Sequence, residues 1–294
     1  MNICNIKLPI FLIIFIVHFG IYPSSCDMLE VLLPKRNSLS VVIPAYNEEL
    51  WIERTVKCVT DSCKEAKLKD FEVLVVDDAS TDATAEIATK NGAQVISVHN
   101  RNIGKNRNQG AKEAKFDTIL FLDADSVVSG KDIKRSLALL NKGISLVTTF
   151  SRYDSHFPFV ASLWCHFSNL CVSHLGWHGT AGGGTMFTDK KKFEKLGGFD
   201  CALFSTEDID LIMRSRHRAF IHTDGYTSSR RHVKNGIFSG VFEWLANRNS
   251  TASDVWCKPN FRKTALLEGE IFQPLSCWER FYRFICPEVI HKQK

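Results

Sequence analysis

The stretch Phe116-Asp117-Thr118-Ile119-Leu120-Phe121-Leu122-Asp123-Ala124-Asp125-Ser126 decides the reading of this chain. Residues 118–122 form a short apolar run rich in strand formers, as in a strand buried on both faces of a parallel sheet. Two carboxylates, Asp123 and Asp125, follow it directly. In an open α/β sheet, ligands bind beyond the C-terminal ends of the strands. Two hard oxygen donors there suit Mg²⁺ or Mn²⁺, ions readily shared with the phosphates of a ligand. The stretch therefore predicts a divalent ion at Asp123 and Asp125 that holds a nucleotide diphosphate. The same residues also fit a plainer role. Acids after a strand cap or open the next helix, and Ser126 and Asp132 stand ahead of the helical spacing at 133–140.

Outward from this point, strand-like and helix-like segments alternate. Strands are predicted at 39–43, 71–76, 94–98, 118–122 and 145–149. Helices are predicted at 48–66, 84–90, 108–115 and 133–140. Such alternation gives right-handed crossovers and a parallel sheet. The turn after the first strand, Pro44-Ala45-Tyr46-Asn47-Glu48-Glu49, carries neither Gly-x-Gly-x-x-Gly nor Gly-Lys-Ser/Thr, so backbone N–H groups do not cradle phosphates there. Asp77 and Asp78 end the second strand, where a carboxylate can accept an N–H from a base edge, and Tyr46 can lie against a base face. Asp82 is placed as a helix cap. The basic segment 99–110, with Lys105 and Arg107, precedes a helix and suits a phosphate as well as it suits a solvated loop.

With 294 residues, 45% hydrophobic and 23% charged, the chain can bury a full core as one large domain or one and a half. A formal charge of +5 fits an anionic substrate or a membrane surface and does not by itself argue for nucleic acid. Residues 1–26 read as a signal peptide or a membrane anchor, because Lys7 precedes the apolar run 8–22 and small residues follow at 23–26. Residues 27–38 read as a linker, 39–250 as the main domain and 251–294 as a tail that docks on the core or on lipid. The chain is thereby placed in the secretory pathway or cell envelope, secreted or membrane-associated. The 10 cysteines are scattered and assign no pairs, and Asn249-Ser250-Thr251 is a glycosylation sequon if the domain faces an oxidising compartment.

Five blocks, in order, resemble the inverting family 2 glycosyltransferases. They are Val41 through Glu49, Val75 through Asp82, Asn102 through Gly110, Phe121 through Asp125, and a last one made of Gly182-Gly183-Gly184-Thr185-Met186-Phe187, Leu196-Gly197-Gly198-Phe199-Asp200 and Glu207-Asp208-Ile209-Asp210-Leu211. The resemblance spans about residues 39–232. It implies a GT-A fold, Rossmann-like with a mostly parallel sheet flanked by helices, and a nucleotide-diphosphate sugar donor. Carried over by position, Pro44, Tyr46, Glu48 and Asp78 line the nucleoside with Asp77 beside them, and Ala124 passes close by. Asp123 and Asp125 serve the diphosphate and the metal, and Asp208 is the catalytic base. The block around Lys105 and Arg107 is shorter than its usual form. No Gln-x-x-Arg-Trp block is present, which points to a non-processive enzyme, and Thr227 through His232 looks like a block of some non-processive members.

The residue chemistry agrees with that assignment. Displacement at an anomeric carbon needs positive charge at the leaving diphosphate and a carboxylate for the attacking hydroxyl. Glu207, Asp208 and Asp210 open a helical stretch running to Arg218, and crowded carboxylates raise one another's pKa. Glu207 is placed at the acceptor. Gly183 and Gly184 permit close backbone approach to a sugar, Arg230 and Arg231 suit a phosphate clamp, and His232 is a candidate third metal ligand. The spacing at 157–175 predicts an amphipathic helix for the core, the acceptor wall or a membrane surface. Acceptors of three kinds stay open: a glycan, a lipid phosphate or a protein. Two rivals remain: a phosphatase of the haloacid dehalogenase type, in which Asp123 attacks phosphate within Asp-x-Asp-x-Val, and a non-catalytic sugar-nucleotide or glycan-binding relative.

Overall fold

Strand β1 (Ser38–Ala45) is buried along nearly its whole length, and the sheet forms around it. In the computed structural model, residues 36–149, 152–153, 184–203 and 207–230 are described. All of them belong to the second of two compact units, 35–294, the first being 1–34. The expected signal or anchor segment, the helix at 157–175 and the tail from 251 lie outside the described residues. Arg36, expected in the linker, is tied into the fold: its guanidinium meets Asp189 at 2.8 Å and donates to Thr118 Oγ1 at 3.2 Å.

From β1 the chain runs through α1 (Ile52–Glu65), β2 (Asp70–Asp77), α2 (Thr84–Lys90), β3 (Gln94–Ser97), α3 (Ile103–Glu113) and β4 (Thr118–Leu122). It continues through β5 (Ser126–Val127), α4 (Gly130–Asn141), β6 (Leu146–Thr149), β7 (Thr185–Asp189), α5 (Lys190–Lys195), α6 (Glu207–Arg214), β8 (Arg218–Ile221) and β9 (Tyr226–Thr227). Seven strands form one sheet in the order β3-β2-β1-β4-β7-β6-β8, and β5 pairs with β9 in a second. The large sheet is mostly parallel; β7 alone is reversed, lying antiparallel between β4 and β6.

Alternation along the strands explains the two cores. Val41, Ile43, Val73, Val75, Leu120 and Leu122 face one side, where α1 and α4 contribute Ile52, Val56, Val59, Ile133, Leu137 and Leu140. Val42, Leu74, Val76, Ile119 and Phe121 face the other, against Ala111 of α3 and Leu211 and Ile212 of α6. There Phe121, Phe193 and Phe199 form a cluster with ring centroids 5.0 to 5.5 Å apart. Continuous apolar runs with both faces buried are what a parallel sheet requires.

Three expectations need correction. The helix expected from 108 starts earlier, within the basic segment: α3 begins at Ile103, because Asn102 caps it by accepting the Lys105 N–H at 2.9 Å. The cap before α4 is Ser129, in a reciprocal box with Asp132, and not Ser126, which is taken into β5. The helix opening at Glu207 stops at Arg214, so Arg218 starts β8. Asp82, expected as the cap of α2, stands one position before the capping residue Ala83, which makes no side-chain cap, and accepts the Thr84 N–H at 3.0 Å.

Helix α3 approaches the sheet closely at Gly110, where a Cβ would lie 2.3 Å from Val42 Cγ1 and 3.0 Å from Val76 Cγ2. On an exposed helix Gly→Ala stabilises by about 1 kcal/mol. Here we expect the opposite sign: Gly110→Ala destabilises by about 1–3 kcal/mol through overpacking, read as a lower denaturation midpoint with an unchanged slope.

Candidate active site

The ends of β1, β2 and β4 point to one edge of the sheet, since these strands are parallel and adjacent. Gly184 arrives at the same edge because β7 is reversed: Thr185 pairs with Leu122, and Asp123 N donates to Gly184 O at 3.1 Å. A Cβ on Gly184 would sit 3.2 Å from Asp123 Oδ2 and 3.4 Å from Ser126 Oγ. The glycine thus keeps room beside that carboxylate oxygen.

Two arginines bind the acids of this edge. Arg107, one turn into α3, is 3% exposed. Its Nη2 donates to Asp123 Oδ1 and its Nη1 to Glu207 Oε1, both at 2.7 Å. Burial opposes its charge, but Asp123, Glu207 and Asp208 outweigh that and hold the guanidinium above its ordinary range. Arg230 grips Glu48 with both terminal nitrogens, at 2.8 and 2.6 Å, and reaches Asp125 Oδ2 at 3.1 Å. Its guanidinium also lies 5.4 Å from the Trp51 ring. The short β5–β9 pair delivers Arg230 there, helped by Ser228 N donating to Asp125 O at 3.3 Å.

Asp208 stands in the first turn of α6, beside Glu207. Burial first and then the Glu207 charge push its carboxyl up to about 7, with Arg107 acting against the rise. Asp125 is also raised, by burial first, while Arg230 pulls it back down. Asp123 differs in keeping its side chain 34% exposed.

Asp77 and Asp78 have separate roles. Asp78 is 0% exposed. It accepts the N–H groups of Asn100 and Arg101, at 2.7 and 3.0 Å, and the Asn106 amide at 3.0 Å. Asp78, expected to line the nucleoside, thus also ties down the chain entering α3. Asp77, 5% exposed, accepts the Ser80 N–H at 3.2 Å through Oδ2, and its buried Oδ1 has no partner among the described residues. Arg101 lies over the Tyr46 ring at 4.2 Å.

Asn47, Ala79 and Arg101, one after each of β1, β2 and β3, have φ of 55°, 52° and 50°. Non-glycine residues in this region are strained, and such strain gathers at functional edges.

Other expected residues take plainer places. Pro44 is buried within β1, and Ala124 is buried with its carbonyl accepting from Thr55 Oγ1 at 2.6 Å. Glu48, expected at the nucleoside, is held by Arg230. Lys105 is exposed on α3. Arg107, expected at a phosphate, is turned toward two carboxylates. Gly183, Arg231 and His232 lie outside the described residues. The sequence reading missed the pairing of Arg230 with Glu48, 182 positions away, for which no local pattern exists.

Among the described residues, no group of three or more His, Cys, Asp or Glu side chains gathers to hold a metal. The donor chemistry still fits a divalent ion: Asp123 and Asp125 are hard oxygen donors, and Gly184 keeps space at Asp123 Oδ2. Among the described residues no helix is long and apolar enough to cross a membrane.

Comparison with known proteins gives the family. The undecaprenyl-phosphate 4-deoxy-4-formamido-L-arabinose transferase of Proteus mirabilis (strain HI4320) is 35% identical over 137 residues, 44% of this chain and 42% of that protein. The protein of the same name from Pseudomonas fluorescens (strain Pf0-1) is 33% identical over 126 residues, 40% of this chain and 37% of that protein. The chain thus spans less than half the length of these relatives. Among solved structures, S. aureus TarS with UDP-GlcNAc aligns with a TM-score of 0.48 at 19% identity, over 65% of this chain and 58% of that one. Glucosyl-3-phosphoglycerate synthase from Mycobacterium tuberculosis, with Mn²⁺, UDP and phosphoglyceric acid, aligns with a TM-score of 0.44 at 21% identity, over 64% and 69%. The sequence profile described as Glycosyl transferase family 2 matches residues 40–192, just over half of the chain, and the chain belongs to that family.

Proposed function

We propose that this domain is a GT-A-fold, inverting and non-processive glycosyltransferase. It moves a sugar from a nucleotide-diphosphate donor to a hydroxyl or phosphate oxygen of the acceptor. The observation that carries this reading is the shared hold of one buried Arg107 on Asp123 and Glu207, which sets Asp208 beside the Asp123–Asp125 strand tip. The relatives named for undecaprenyl phosphate support a lipid phosphate as acceptor, and with it placement at a membrane surface through segment 1–26.

In the reaction the acceptor oxygen attacks the anomeric carbon, and the bond from that carbon to the diphosphate oxygen breaks with inversion. Asp208 takes the acceptor's proton, and the electron pair leaves with the nucleoside diphosphate. Asp123 and Asp125, with His232 as a third ligand, would hold Mg²⁺ or Mn²⁺, which when bound would supply positive charge to that leaving group. Asp77 Oδ1, buried and without a partner among the described residues, accepts an N–H from the base. The Tyr46–Arg101 stack lies at the end of the same strands and packs on the base face. Arg230, with Arg231, turns to the phosphates, and Gly183 and Gly184 admit the sugar.

A screen of nucleotide sugars with Mn²⁺ or Mg²⁺, reading release of nucleoside diphosphate, tests the reading. Phosphate-ester hydrolysis that needs Asp123, with no sugar transfer, would favour the phosphatase instead. Metal-dependent donor binding without turnover, indifferent to Asp208→Asn, would favour a binding protein. We expect Asp125→Ala to weaken donor binding at least tenfold in calorimetry. Asp208→Asn should leave donor affinity unchanged and lower kcat by about 10²–10⁴.

The base works only when ionised, so kcat should fall about tenfold per pH unit below about 7 and level off above it. A kcat that stays flat down to pH 5 would remove Asp208 from this role. The two acids ending β2 should also separate in a paired measurement. Asp77→Asn should weaken nucleoside diphosphate binding by about 1–3 kcal/mol with an unchanged melting temperature. Asp78→Ala, which strips three N–H groups of their acceptor, should lower the melting temperature by several degrees.

A further inference from the structure

Arg107 is nearly without solvent, yet its contacts are to carboxylates that start from different parts of the fold. Asp123 follows β4, while Glu207 opens α6, 100 positions from Arg107 in sequence. The two terminal nitrogens are divided between them at equal distances of 2.7 Å. A planar fork divided in this way fixes both acids against one rigid body. The Phe199 ring, 5.3 Å from the guanidinium carbon, closes the site on another side.

The helix that carries Arg107 is itself fastened to the chain leading to α6. Asn102 Nδ2 donates to Cys201 O at 2.9 Å. Asn108 donates to Phe199 O and accepts from Phe199 N, both at 2.9 Å. Helix α3 thus bridges the β4 tip and the start of α6, and Arg107 is the charged member of that bridge. Both Arg107 Nε and Glu207 Oε2 are buried and take no hydrogen bond among the described residues. The contact is therefore incompletely satisfied, which a purely stabilising ion pair does not favour.

We infer that Arg107 is a positioning residue for sugar transfer: by holding Glu207 it sets the place of Asp208 relative to the donor carboxylate Asp123. It acts through Asp208 and does not itself bind the donor. This rests on the glycosyltransferase reading above. A displacement of about 1 Å between base and reaction centre lowers turnover by about a hundredfold while leaving ground-state binding intact.

The test uses the full chain with Arg107→Lys, Glu207→Gln, their double variant, and Arg107→Lys in an Asp208→Asn background. UDP-glucose, UDP-N-acetylglucosamine and GDP-mannose are assayed in turn with Mn²⁺ and undecaprenyl phosphate. The readouts are kcat, donor KM, calorimetric affinity for UDP or GDP, and melting temperature. Each single variant is expected to lose about a hundredfold in kcat with donor KM and nucleotide affinity within about threefold. The double variant should lose no more than about twofold beyond the worse single one, because both break one link. In the Asp208→Asn background Arg107→Lys should cost nothing further. Lysine keeps the charge but not the fork, and Glu207→Gln keeps the shape, so a fold failure in one leaves the other to decide. A tenfold weaker nucleotide affinity with unchanged kcat, additive losses, or a further loss in the Asp208→Asn background would overturn the inference. Wild-type protein that neither turns over any of the donors nor binds UDP or GDP counts against the glycosyltransferase reading. A wild type that turns over, with the Arg107→Lys and Glu207→Gln kcat intact, sinks only the role of Arg107.

Discussion

A guanidinium removed from water needs carboxylates around it, and losing one of a buried pair typically costs about 3–5 kcal/mol. Arg107 imposes that condition on this fold. Its two partners come from the end of a central strand and the start of a helix far along the chain. Satisfying the cation therefore requires β4, α3 and α6 to meet at one edge of the sheet. The aromatic cluster of Phe121, Phe193 and Phe199 joins β4 to α5 and to the chain leading toward α6 by dispersion and burial.

A second cation does the same work on the neighbouring side. Arg230, 182 positions from Glu48, joins that residue, beyond β1, to Asp125, beyond β4. The edge is thus a row of two acid–cation–acid sets: Glu48, Arg230 and Asp125, then Asp123, Arg107 and Glu207. A row of that kind keeps acids close together without leaving them all unpaired, which is the state a site for a charged leaving group needs before its ligand arrives. Burial, and then the Glu207 charge, hold the Asp208 carboxyl well above the usual carboxylate range, with Arg107 opposing the rise. Burial raises Glu48 to about 7 as well, against the pull of Arg230, so pairing alone does not separate a holding acid from a proton-accepting one.

Much of the fold was legible before any coordinates. Strand positions followed from apolar runs, and α2 was placed at its observed limits, 84–90. Strand β4 was also placed as observed, because turn residues bound it on both sides. The acids at strand ends were legible for the same reason: a carboxylate that follows a buried run must sit at a sheet edge. Reading failed where one residue decided a boundary. Asn102 turned an apparent basic loop into the first turn of α3, and β7 was read as a glycine block because its strand residues follow Gly182 through Gly184.

The sequence alone determined the sheet, its mostly parallel character, the family blocks and the set of acids at one edge, since these depend on local periodicity and spacing. Tertiary structure decided what each acid does. Asp77 and Asp78 are adjacent and chemically identical, yet one accepts two N–H groups of the loop into α3 and the Asn106 amide, while the other keeps a buried oxygen without a partner among the described residues. Likewise Arg107 reads as a loop cation until the fold directs it inward. Hydrogen-bond partners and burial are set by segments distant in sequence, and no periodicity in the chain encodes them.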